Sequence, residues 1–78
     1  MSHVPHELAE EFPDAAEKIH ALKLNDAHFA KLANAYHEVN REIHRIEAEI
    51  EPASDAYIED LKKKRLAMKD EVAAFLSP

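Results

Sequence analysis

The chain reads as an all-α fold, an antiparallel two-helix hairpin of coiled-coil-like packing preceded by a short N-terminal helix. Three observations predict it. Apolar residues recur three and four apart at Phe29, Leu32, Tyr36, Val39, Ile43, Ile46 and Ile50. After a Glu-Pro-Ala-Ser break the spacing resumes at Ile58, Leu61, Arg65, Met68, Val72 and Phe75, with one charged member. The connection of about four residues is short enough to return the second helix along the first. Glycine is absent altogether, which removes tight positive-φ turns, phosphate-cradling loops and dinucleotide fingerprints.

Taken in order, Pro5 and Pro13 suit the first turn of a helix, where a missing N–H costs nothing, and Pro13 pushes Phe12 out of helical geometry. A turn or two at residues 5–11 is expected, then a short helix from Pro13 to about Leu24 with Ala15, Ala16, Ile19 and Leu22 on its apolar side. Asp26 caps the next helix, because carrying the 15, 19, 22 rhythm forward would place it in the seam. That long helix runs from Ala27 to about Glu51 and stops before Pro52. Ser54, followed by Asp55, starts the last helix, which reaches Leu76.

The seam also predicts a register. Folding the chain back about Pro52 sets Ile46 against Ile58, Ile43 against Leu61, Val39 against Arg65, Tyr36 against Met68, Leu32 against Val72 and Phe29 against Phe75. Flanking side chains agree, with Glu42 near Lys64 and Asn40 near Lys62. Arg65 is expected to pack its stem on Val39 and reach Glu42 or Glu38, fixing register.

Seventy-eight residues allow one domain, 1–78, with a short helical segment at 5–24 and the hairpin at 27–76. With no Cys there are no disulfides, thiolate metal sites or cysteine nucleophiles, which suits a reducing cytoplasm. Sixteen acidic against ten basic side chains give a net charge of -6, which opposes nucleic acid. Lys62, Lys63, Lys64 and Arg65 form the one basic cluster and read as a solvated face. No stretch approaches the roughly 20 apolar residues of a membrane span, and the start, Met-Ser-His-Val-Pro-His-Glu, lacks the features of a secretory signal.

Six histidines, at 3, 6, 20, 28, 37 and 44, are the candidates for a metal site or a pH switch. His37 and His44 share a helix face but stand about 10 Å apart along the axis, too far for one zinc ion whose ligand atoms lie about 2 Å from it. No metal site and no cofactor are therefore expected. Catalysis has little to draw on: no Cys, no Thr, and Ser2, Ser54 and Ser77 as hydroxyl nucleophiles besides the two tyrosines. The carboxylate pairs read as solvated faces, so no enzyme is expected.

Leu66 lies about 130° from the centre of the seam on the helical wheel, with Ala73 near it. Phe12, Ile19, Leu22 and Leu24 of the N-terminal segment also need cover. Either that segment folds back over the open end of the hairpin, or these residues and Leu66 meet a second chain.

The stretch Leu61-Lys-Lys-Lys-Arg-Leu-Ala-Met-Lys-Asp-Glu-Val72 resembles the YdcH-like family of small bacterial proteins, as do Phe12-Pro13, Ile19-His-Ala-Leu-Lys23, Phe29, Tyr36-His37 and Ile43. The family often carries Pro before Phe29, where this chain has Ala27-His28. The resemblance implies a short helical or coiled-coil protein of the bacterial cytoplasm, of no established activity, and supplies no catalytic residue. The resulting expectation is a self-associating protein–protein interaction module, a homodimer in the first instance, with room for an unidentified protein partner. The alternative is a regulator whose histidines respond to metal or pH.

Overall fold

The computed structural model describes residues 6–48 and 52–77. The elements are α1 (Leu8–Glu11), a 3-10 turn (Pro13–Ala15), α2 (Ala16–Asn25), α3 (Ala27–Glu47) and α4 (Asp55–Leu76), with no strand among the described residues. Of the sequence expectations, Pro5, His3, the seam position Ile50 and the helix end near Glu51 lie outside the described residues.

The helix starts follow the capping chemistry. Asp26 accepts a hydrogen bond from the Phe29 N–H at 3.1 Å, and Ser54 accepts one from the Tyr57 N–H at 3.1 Å. Ala27-His28 in place of a proline leaves the first of these intact. Replacing either cap by Ala should cost about 1 kcal/mol in urea-induced unfolding; an unchanged midpoint would show that the cap contributes nothing. Phe12 is non-helical at φ -130°, ψ 65°, as the following proline requires, and Pro13 opens the 3-10 turn ahead of α2. Among the described residues helix α3 runs Ala27–Glu47. Ala48 leaves helical geometry at φ -83°, ψ 5°, its N–H shared between the carbonyls of His44 and Ile46.

Helices α3 and α4 pack antiparallel. The 22 residues of α4 span about 33 Å, and the longest dimension of the chain is 38 Å, so the helices lie side by side instead of continuing as one shaft. Phe29 and Phe75 meet edge to face with ring centroids 5.2 Å apart, and Arg65 reaches Asn40, which places the open end of the predicted register, and its middle to within one residue, where folding about Pro52 puts them.

The core is rotated relative to the predicted seam. Phe29, Leu32, Tyr36 and Ile43 of α3 are buried as expected, with Leu61 and Val72 of α4; Ala33 and Asn40 are buried too, while Val39 is only half-buried. Ile46, Ile58, Arg65, Met68 and Phe75 are half-buried. The cause is the N-terminal segment. Leu8 and Ile19 are buried against Phe29, Leu32, Ala33, Tyr36 and Val72, with Phe12 and Leu22 packed on the same cluster. This third layer covers the flank of α3 that carries Ala33 and Asn40, so burial shifts one residue from the stripe that a two-helix seam alone would bury. Lys18 Nζ donates to the Leu76 carbonyl at 3.0 Å, tying α2 to the end of α4, where a cation also suits the negative pole of the helix.

Candidate functional site

The polar groups of the chain converge where the N-terminal segment lands on the hairpin. His6 adopts a left-handed conformation, φ 66°, in the region sparsely used by residues with a β-carbon. That turn aims its carbonyl at α3, where the Tyr36 hydroxyl donates to it at 2.6 Å. Leu8 is thereby delivered into the core, and the residues on either side of it make the polar contacts. Glu7 meets His37 Nδ1 at 3.0 Å and accepts from Asn40 Nδ2 at 3.4 Å. Asn40, 1% exposed, in turn accepts from Arg65 Nη1 at 2.9 Å. Glu11 meets His6 Nδ1 at 3.1 Å and Lys69 Nζ at 3.4 Å. One clasp therefore links all the layers: Glu7 to α3, Asn40 to α4, and Glu11 to α4 again.

The guanidinium of Arg65 goes to Asn40, a correction to the expected Glu42 or Glu38. Asn40 offers a buried carbonyl oxygen at the point where the stem of Arg65 crosses the seam, while Glu42 is engaged by the Tyr57 hydroxyl. Lys62 pairs with Glu47 at 3.1 Å. No buried side-chain nitrogen or oxygen among the described residues is left without a partner, as an arrangement that stabilises a fold requires.

The electrostatics match. The hydrogen bond from His6, helped by the Lys69 ammonium, holds the Glu11 carboxyl below its ordinary value against the opposing effect of burial. Burial, reinforced by the negative charges of Glu11 and Glu7, pushes the Tyr36 phenol above its usual range, with Arg65 opposing. The lowered folded-state value for Glu11 means that its contribution is present above the unfolded carboxylate value, about 4.3, and is lost as pH falls through the lower folded one. Acid titration followed by hydrogen exchange at Leu8–Phe12 should show protection lost below pH 4. In a Glu11→Gln variant that acid-dependent step should disappear; an unchanged acid profile would show that Glu11 plays no part.

Two shallow grooves flank the clasp. One of about 380 Å³ runs between α1, α2 and α3 and includes Glu7, His20, Lys23, Asn34 and His37. The other, about 170 Å³, is lined by His6, Glu11, Tyr36, Lys62, Arg65, Leu66 and Lys69. Neither is lined by a serine, and Ser54 is spent as a helix cap. No group of three or more His, Asp or Glu side chains among the described residues could hold a metal ion.

The predicted interaction residues divide. Ile19 is buried and Phe12 and Leu22 are partly covered, all in the chain's own core, which corrects their placement on a docking surface: the N-terminal segment folds back over the hairpin. Leu24 and Leu66 stay exposed, at 73% and 59%, and Ala73 is half-buried. Sequence reasoning missed Glu7, Leu8, Ala33 and the buried role of Asn40. For Leu8 the spacing to Phe12 was a usable signal; for Glu7 there was none, since its partners lie 30 and 33 residues away.

The family model described as protein of unknown function (DUF465) matches residues 29–76. The chain belongs to this family. YdcH-like proteins are members of it, so the resemblance read from the sequence holds. The match to DUF465 covers α3 from Phe29 onward and α4 to its last residue, which is the hairpin, and leaves Glu7 and Glu11 of the clasp outside it. No curated protein and no solved structure matches the chain. No helix among the described residues of this DUF465 chain is long and apolar enough to cross a membrane.

Proposed function

We propose that the chain is a non-catalytic protein–protein interaction module of the cytoplasm that associates with itself, as a dimer in the first instance, and through the same outer residues can dock a protein partner. The observation that carries the reading is Leu66. After the N-terminal segment has completed the core, this leucine remains 59% exposed at the rim of a shallow groove. A single exposed leucine is ordinary; one set among the basic residues Lys62, Arg65 and Lys69 in a concave surface suits an apolar anchor with a polar rim. Clasp and core supply a rigid platform without chemistry of their own. Sedimentation equilibrium at tens of micromolar should give a species heavier than the monomer, and Leu66→Asp should return it to the monomer with unchanged helix content. A strict monomer, together with no partner recovered by pull-down, would overturn the reading.

A second reading, a response to acid, is favoured by one arrangement: the contacts of His37 with Glu7 and of His6 with Glu11 hold the N-terminal segment in place. Each contact sets an imidazole against a carboxylate, with Lys69 the other charged group beside Glu11. Hydrogen exchange at Leu8–Phe12 that is equal at pH 7.5 and 5.5 would dispose of this reading.

A further inference from the structure

Among the surfaces of the chain, the outer face of α4 combines an uncovered apolar residue with charges that no neighbour uses. Lys63, Leu66, Ala67 and Asp70 fall within an arc of about 100° on the helical wheel, on the side turned away from α3. All four are exposed. Neither Lys63 nor Asp70 forms an ion pair with another described residue, whereas Lys62 and Lys69 are engaged by Glu47 and Glu11.

The charge of the helix is suited to a like partner. α4 holds five acidic side chains (Asp55, Glu59, Asp60, Asp70, Glu71) and five basic ones (Lys62, Lys63, Lys64, Arg65, Lys69), so it is neutral, while the chain as a whole carries -6. Two copies repel each other over most of their surface and are free to approach along α4.

We propose that this face docks against the same face of a second copy, with the two α4 helices antiparallel about a two-fold axis passing between Leu66 and Ala67. A two-fold contact requires self-complementarity, because whatever residue i meets on the other copy must meet i in return. With the axis at that point, Leu66 of each copy lies over Ala67 of the other, a large side chain against a small one. Lys63 of each copy faces Asp70 of the other, giving two unlike pairs at the rim. Sliding one helix past the other by about one turn in one direction sets Glu59 against Asp70 and Leu66 against Lys63; sliding it about as far in the other sets Leu66 against Asp70. Charge thus selects one register of the three. A contact of one helix per copy is small, so the dimer is a weak and concentration-dependent one.

The inference rests on the reading that the chain self-associates, and charge exchange separates the two. Lys63→Glu and Asp70→Lys should each weaken dimerisation in sedimentation equilibrium by about tenfold, because each creates two like-charge pairs. The double variant restores unlike pairs and should recover the affinity of the unaltered chain to within about threefold. Both positions are exposed, so folding is retained, with circular dichroism as the control. A dimer indifferent to the single changes, or a double variant as weak as the singles, would overturn the register and leave self-association standing. A monomer throughout would overturn both.

Discussion

Phe29→Ala should lower the free energy of unfolding by about 3–5 kcal/mol, the range for removing a fully buried aromatic side chain. Phe29 is fully buried, makes an edge-to-face contact with Phe75, and sits in the first turn of α3, where its own N–H is the one capped by Asp26. It is also where the three layers meet, since Leu8 and Ile19 pack in the same cluster. A domain of this size has about 4–12 kcal/mol of stability in total, so the loss is a large part of the whole. The cooperative transition should move to much lower urea or vanish, while Leu66→Ala on the exposed face shifts it by less than about 0.5 kcal/mol. A loss below 1 kcal/mol for Phe29→Ala would show that the open end of the hairpin is not where the core lies.

The second large effect concerns the buried polar pair. Asn40→Leu takes the acceptor from the half-buried guanidinium of Arg65 and the donor from Glu7. Arg65→Met takes the charged donor from the buried carbonyl oxygen of Asn40. Each should cost about 1–3 kcal/mol, the penalty for stranding one member of such a pair. Replacing both at once, Asn40→Leu with Arg65→Met, should cost much less than the sum, because neither the guanidinium nor the amide oxygen then remains to be stranded. Urea unfolding of the four proteins gives the coupling directly. Additive losses would mean that the two residues act independently and that the contact between helices is incidental.

How much of this was legible beforehand follows from the range of each interaction. Asp26 and Ser54 cap helices three residues away, so their roles could be read locally, as could the effect of Pro13 on Phe12. The pairing of Phe29 with Phe75 is long-range, yet periodicity encoded it, because two stripes joined by a short loop have few ways to meet. The choice between Val39 and Asn40 had no local signal. An asparagine beside a seam looks solvated until something covers it, and what covers it is a segment more than 30 residues earlier. Arg65 in the seam did announce that a polar acceptor was needed, but not which one. The candidate site was less legible than the fold, since Glu7, His6 and Glu11 gain their meaning only from the residues they land on.

By itself, then, the sequence determined the four helical segments, their caps, the antiparallel return and the membership of the hairpin in its family, because those depend on spacing, on turn chemistry and on the absence of glycine. Only the tertiary structure decided that the N-terminal segment forms a third layer on its own hairpin, that burial moves from Val39 to Asn40, and that Leu66 is left uncovered on α4. The physical reason is that apolar surface records the need for cover without recording its source. Which chain element supplies that cover is settled by the closing of distant contacts, here the left-handed turn at His6 and the bond from Tyr36 that holds it.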